Sequence, residues 1–401
     1  MITWLFDKRN RYGFIPNLVT RTDIKPNTSE YWKLALTYPY SFDFRFLRYC
    51  GLEGVKAPCC LVSDDWTGPA YYPIRLNFWD PEIDYLGLMP PESLKLLQQG
   101  KFRVLFYYDE GDDPTVTQLP HLRKMLKHNN VSMNNIRVAT ANFNLKDKRP
   151  FVFIADDELH YRYLQLVTRK PEYVQDLNLD IREKKATCLT RADKVWRRIF
   201  GAQFVDLGLH SHCYYSYTNY QYENYNVDED DIKNWQDVTP DLDRKLLTFG
   251  MQLPFKCDNL TDIEHNNHSI VVPEHHTNAY WNIVVETHFG QHTTFLTEKT
   301  FKPILNLQPF TIVGNSGSLK LLHYLGYKTF ESVLDETYDK ITNPQERMME
   351  LVKIINSIIH TSHEDHVKIQ KNLRNILYHN HNHFLAPKAG RLNSFLEKLN
   401  Y

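Results

Sequence analysis

Long apolar runs are missing from this chain. No stretch of about 18 apolar residues occurs among its 401 residues, so no membrane-spanning helix is expected. The opening, MITWLFDKRN, has no basic segment followed by an apolar stretch, which argues against a secretory leader. Cysteine is scarce. Cys50, Cys59, Cys60, Cys188, Cys213 and Cys257 form no CxxC pair and no regular spacing. Neither a disulfide framework nor a zinc knuckle is expected, and a reducing cytoplasm is the expected location. An excess of either charge is missing too: 47 Lys and Arg stand against 48 Asp and Glu, a formal net charge of -1. No global basic field draws the chain onto nucleic acid, although a local basic groove remains open. No internal repeat, low-complexity linker or HExxH pair is present.

Aromatic and histidine side chains are plentiful instead. Aromatics make up 13 % of the chain, with 25 Tyr, and there are 18 His. The histidines cluster as HSH at 210–212, EHNNH at 264–268, EHH at 274–276 and HNHNH at 379–383. None of these runs has the spacing of a closed metal site, so no metal is expected. The length favours two or three domains. At 42 % hydrophobic and 24 % charged, the composition is that of a folded globular protein.

Strand and helix signals alternate along the chain. Strands are expected at 57–63 (APCCLVS), 102–108 (FRVLFYY), 136–144 and 150–157, with helices at 90–100 (PPESLKLLQQG) and 121–130 between them. A second series opens with a strand at 184–190 (KKATCLT) and a helix at 191–208. The tyrosine-dense segment 210–231 then reads as a long loop. Strands at 281–289, 309–314 and 327–330 and helices at 297–306 and 318–326 follow, and three helices close the chain. Alternation of this kind predicts α/β architecture with mostly parallel sheets. The expected division is an N-terminal domain over 1–180 and a C-terminal domain over 181–401, facing each other across a cleft where small ligands bind.

The stretch TEKTFKPI, 297–304, carries the chemistry. The Thr297 hydroxyl can cap a helix starting at Glu298. The first turn of that helix offers the positive end of its dipole to a phosphate. Lys299 and Lys302 add charge, and Glu298 can accept from two ribose hydroxyls. A capped helix end with solvated charges is the competing reading of the same residues.

The segment VVETHFG…FLTEKTFKPILNLQPFTIVGNSGSLKLLHYLGYKTF, 284–330, resembles the C-terminal signature of bacteriophage and giant-virus glycosyltransferase-like proteins. It is similar, more distantly, to the sugar-nucleotide segment of α-1,3-fucosyltransferases. The resemblance is specific over about fifty residues and loose elsewhere. It implies the GT-B architecture, two Rossmann-like domains with the active site between them. It implies a nucleoside-diphosphate sugar as donor, with a UDP-sugar favoured and no obligatory metal or other cofactor. It also implies roles: Glu298 on the ribose, Lys299 on the diphosphate, Glu286 on the donor sugar or bracing the site, and Arg191 and Lys194 on the phosphates.

Glycosyl transfer further needs a base beside the acceptor hydroxyl. Glu110, at the carboxyl end of the 102–108 strand, is the first candidate, and Asp109, Asp64 and Asp65 are its rivals. A clear DxD motif in a credible site is missing; SDD at 63–65 and EGDD at 110–113 come nearest. The viral resemblance favours 5-hydroxymethylcytosine in double-stranded DNA as acceptor. HLRKMLKHNN and NLKDKRP would then supply a basic groove, with Tyr107, Tyr108 and the Tyr-rich segment to stack on a base. A glycan or cell-surface acceptor, and a non-catalytic nucleic-acid-binding protein, are the alternatives. No membrane partner is expected.

Overall fold

The computed structural model describes residues 2–6, 45–57, 59–61, 65–75, 83–108, 115, 118–146, 148–168, 176–220, 235–236, 239–258, 272–290 and 292–400. The chain is α/β and is built on two parallel sheets. It divides into two compact units. One comprises Met1–Tyr163 with Pro387–Tyr401, and the other comprises Leu164–Ala386.

The first unit runs β1 (Thr3–Phe6), α1 (Arg45–Leu52), β2 (Cys59–Leu61), β3 (Ala70–Arg75), α2 (Pro91–Gln98), β4 (Arg103–Tyr108), α3 (Gln118–His128), β5 (Ile136–Thr140), β6 (Phe151–Phe153) and α4 (Asp156–Tyr163). Its strands lie in the order β2-β1-β3-β4-β5-β6. Side chains alternate faces along each strand. Val104, Phe106 and Tyr108 of β4 therefore pack with Leu97 of α2 and with Leu122 and Met125 of α3, while Leu105 and Tyr107 face the other way. Tyr107 and Tyr108 are each only 2 % exposed, and the Tyr107 hydroxyl donates to Asp156. Both belong to the core and are not available to stack on a base.

The second unit runs β7 (Lys184–Ala192), α5 (Val195–Asp206), β8 (Cys213–Tyr220), α6 (Leu242–Gln252), α7 (Pro273–Thr277), β9 (Ala279–Val285), α8 (Glu298–Leu305), β10 (Phe310–Val313), α9 (Ser318–Tyr324), α10 (Pro344–His360) and α11 (His363–Leu385). The sheet order is β10-β9-β7-β8. Two expectations change here. Residues 213–220, read as loop, form edge strand β8, because alternating tyrosines suit a pleated, half-buried surface. Residues 327–330, read as a strand, have no strand partner among the described residues.

The last helix, α12 (Ala389–Asn400), returns to the first unit. Leu392, Phe395 and Leu399 join Trp4, Tyr71, Leu105 and Tyr107 in its second core cluster. The division thus falls at 163/164 and not at 180, and residues 387–401 complete the first unit instead of closing the second. Two ionic clusters hold this arrangement. Glu158 pairs with Lys388 at 3.5 Å and with Arg391. Glu53 accepts from Arg162 and, at 2.7 Å, from the Lys388 amide. One carboxylate therefore pins the chain both where it leaves the first unit and where it comes back. No described helix is long and apolar enough to cross a membrane.

Candidate functional site

All four strands of the second sheet run parallel, so their carboxyl ends lie along one edge. Functional loops collect at that edge in open α/β sheets. Here they are 193–194 after β7, 286–297 after β9 and 314–317 after β10.

Glu286 is the centre of the edge. Its carboxylate is 2 % exposed. Oε1 accepts from Thr297 N at 3.1 Å and Thr300 Oγ1 at 2.6 Å. Oε2 accepts from Thr297 Oγ1 at 2.7 Å and Thr287 N at 3.2 Å. A carboxylate has about four acceptor positions, and these four donors fill them. Glu286 is therefore the brace that fixes where α8 begins. Gly314 suits this close packing: a Cβ there would meet Ile312 Cγ2 at 3.1 Å and Glu286 Cβ at 3.2 Å, so a neighbour would have to shift slightly. This is one reason the strand PFTIV runs into a small-residue turn.

The second glycine of that turn, Gly317, sits at φ 81°, and its amide donates to Asp339 O at 2.9 Å. Asn315 Nδ2 donates to Thr293 O at 2.7 Å, and Thr294 Oγ1 donates to Ser316 O at 3.1 Å, so the loops after β9 and β10 are stitched together. Arg347, buried from α10, donates to Gly314 O at 3.1 Å and lies 4.4 Å from the Phe289 ring. Burial pushes its guanidinium down to about 10.

Helix α8 forms for the reasons the sequence gives. Thr297 is its N-cap, with Oγ1 accepting from Lys299 N at 3.4 Å, and Glu298 lies in the first turn, where the dipole favours an anion. Phe301, Ile304 and Leu305 are buried. Lys299 Nζ stands 3.2 Å from both Thr287 Oγ1 and Thr297 Oγ1, and 3.9 Å from Glu298 Oε1. From another element, Lys194 at the N-cap of α5 donates to Thr287 O at 2.9 Å. Two ammonium groups thus converge on Thr287, with 32 % of the Lys299 side chain still open to solvent.

Other expected residues sit differently. Arg191 lies within β7, where its carbonyl accepts from Thr218 Oγ1 at 3.1 Å; the expected helix begins only at Val195. Lys302 lies in the last turn of α8, not at its mouth. Its charge acts on His276, which Gln308 contacts at 2.8 Å. Asp109, Glu110 and Asp64 lie outside the described residues, and Asp65 is exposed. The sequence reading passed over Arg197, which is buried and donates to the backbone carbonyls of Ala192 and Glu286, joining the ends of β7 and β9. It also passed over Asp193, a buried carboxylate held by Arg198 and, at 2.6 Å, by Tyr217 OH. Both fall inside RADKVWRR; the signal for Asp193 was a charged residue just past a strand's end, and Arg197 lies in the first turn of the helix that follows.

The HNHNH run lies on helix α11, not on a strand. His379 and His383 contact Gly326 O and Leu325 O at 3.1 and 2.7 Å, and His381 contacts Leu305 O at 2.9 Å. These imidazoles engage the carbonyls that follow α9 and end α8, the groups every helix terminus leaves unpaired.

Comparison of the chain with protein-family models, curated proteins and solved structures finds no match.

Proposed function

We propose that the second unit binds a nucleoside-diphosphate sugar at the carboxyl edge of its sheet, and that the protein is a glycosyltransferase of GT-B-like architecture. The observation that carries this reading is the convergence of Lys194 and Lys299 on Thr287 beside the N-terminus of α8. Two fixed cations and a helix dipole stabilise the charge that develops as a diphosphate leaves, without an obligatory metal. Lys299 takes the diphosphate, Lys194 supports it, and Glu298, one residue before, takes the ribose hydroxyls. A UDP-sugar is the favoured donor.

The favoured acceptor is the hydroxymethyl group of 5-hydroxymethylcytosine in double-stranded DNA. Helix α3 of the first unit exposes Arg123, Lys124 and Lys127, the kind of row that follows phosphates. Glu110 or Asp109, just past the end of β4, takes the acceptor proton in this scheme.

The donor reading is tested by melting the protein with millimolar UDP- and GDP-sugars, since a ligand bound only to the folded state raises the melting temperature. Lys299→Ala should abolish the rise while leaving the unliganded melting temperature nearly unchanged. Should no nucleotide sugar shift melting, the proposal fails. Mass spectrometry of hydroxymethylated and unmodified DNA after incubation with the donors then tests the acceptor. Transfer to a glycan but not to DNA would retain the donor site and reject the acceptor.

A further inference from the structure

Edge strand β8 is joined on its outer side by a short return of chain. Phe255 and Tyr217 form an antiparallel bridge, with N–H···O distances of 3.0 and 2.9 Å. The chain then brings Cys257 and Asp258 against α7, where His275 is held from both sides. Its carbonyl accepts from Thr187 Oγ1 of β7, and its ring lies 5.1 Å from the Tyr214 ring of β8.

Cys257 Sγ lies 3.8 Å from His275 Nε2 and 4.0 Å from Asp258 Oδ2. Asp258 Oδ2 lies 3.8 Å from the same Nε2. Three ligand atoms of three kinds thus sit at the corners of a nearly equilateral triangle. The His275 and Asp258 side chains expose only 5 % and 11 % of their surface.

Direct hydrogen bonding does not account for the Asp258–His275 separation, although the two contacts of Cys257 Sγ fall within the longer reach of a sulfur hydrogen bond. A nitrogen–carboxylate separation of 3.8 Å is longer than the roughly 3.2 Å limit of a good N–H···O bond. A tetrahedral cation with bonds of about 2.0–2.3 Å to nitrogen, oxygen and sulfur holds its ligand atoms roughly 3.3–3.6 Å apart. An inward movement of a few tenths of an ångström, on the order of ordinary side-chain adjustment, converts the one triangle into the other.

We propose that Cys257, Asp258 and His275 bind one zinc ion, with water in the fourth position. Sulfur and imidazole ligands select a borderline divalent cation over magnesium or calcium, which take oxygen. Coordination uses the thiolate, whose proton goes to solvent, and the neutral imidazole through Nε2. The site lies beside the amino-terminal half of β7, on the order of 15 Å along the strand from the lysines at its other end. The ion is accordingly a clamp. It fastens the chain beyond the edge strand to the helix that feeds β9, and takes no part in phosphate chemistry.

The test uses reduced, tag-free, full-length protein stripped of metal. Cobalt(II) titration should give one ion per chain with a near-ultraviolet sulfur-to-cobalt charge-transfer band, and zinc should displace it. Cys257→Ser, nearly isosteric, should lose the band and weaken binding by more than about tenfold, the least that removing even an outer partner of a metal ligand does. Asp258→Asn should weaken binding while keeping the band, and it carries the test if the serine variant does not fold. At one fixed zinc concentration, the rise in melting temperature should be smaller for both variants than for the native chain. Affinity unchanged in both variants would place the cation on other histidines and overturn the assignment. Absence of a bound ion at micromolar concentration would do the same.

Discussion

Replacing Glu286 with glutamine separates a brace from a ligand contact. The change keeps the shape and removes the charge. One carboxylate oxygen becomes an NH2 group, and each oxygen now receives a backbone amide: Thr297 N at 3.1 Å on Oε1 and Thr287 N at 3.2 Å on Oε2. The Thr297 and Thr300 hydroxyls can rotate to accept from an NH2, but a backbone N–H cannot. Either orientation of the amide therefore sets N–H against N–H in a site that is 2 % exposed. A hydrogen bond to a charged group contributes about 1.5–3 kcal/mol, and a buried donor left unsatisfied costs about 1–3 kcal/mol. The expected loss for Glu286→Gln is about 2–4 kcal/mol. In a unit of this size that is roughly 5–15 °C in melting temperature. Differential scanning calorimetry of the unliganded protein measures it. Thr300→Val, which removes one of the four bonds, should lose roughly 1–2 kcal/mol. If Glu286→Gln melts within a degree or two of the native protein and instead weakens nucleotide-sugar binding, then Glu286 faces the ligand and the bracing argument is wrong.

Three further outcomes are expected. Deleting residues 387–401 should unfold the first unit, detected by loss of far-ultraviolet circular dichroism, because Leu392, Phe395 and Leu399 each bury a side chain that contributes about 1.5–3 kcal/mol; together they approach the whole stability of an ordinary domain, about 5–15 kcal/mol. Desolvation holds the buried His276 and His366 at about 4, below their ordinary value of 6.5. Between those values the unfolded chain binds more protons, so stability is complete above pH 6.5 and falls as pH drops. By pH 5 the loss is about 2 kcal/mol per histidine. A urea midpoint for His366→Gln that keeps the full native pH dependence would contradict this. Lys194→Met should weaken donor binding less than Lys299→Ala, since the Lys194 ammonium donates to the Thr287 carbonyl at 2.9 Å, a closer contact than the two 3.2 Å hydroxyl contacts of Lys299; isothermal titration with UDP and its sugars compares the two.

Much of the second unit was legible because its signals are local. Strands β9 and β10 are near-continuous apolar runs, broken only by Asn282 and Thr311, as sheets covered on both faces favour, and α8 announces itself through Thr297, Glu298 and the buried stripe of Phe301, Ile304 and Leu305. Lys302 was misplaced because three residues carry a side chain about 4.5 Å along a helix axis, away from the N-terminus. Strands β1 and β3 escaped notice. One is four residues long, and the other has Pro73, which lacks an N–H, in its middle. Tyrosine alternation over 213–217 reads equally as an aromatic loop until a neighbouring strand is known. The destination of α12 was not readable at all: an apolar stripe of Leu392, Phe395 and Leu399 states that the helix packs, not which core receives it. The zinc triad escaped for the same reason, since Cys257 is placed by the pairing of Phe255 with β8 and His275 by its contacts with Thr187 and Tyr214.

The return of α12 sets a timetable for synthesis. A ribosome delivers β1 to β6, then the entire second unit, and only afterwards the helix that covers Trp4, Tyr71 and Leu105. At about 5–20 residues per second, that surface waits roughly 10–45 s without its final cover. Premature termination after residue 386 would leave one finished unit tethered to a sticky, half-built neighbour. For this chain, nascent-chain chaperones matter most before residues 387–401 emerge.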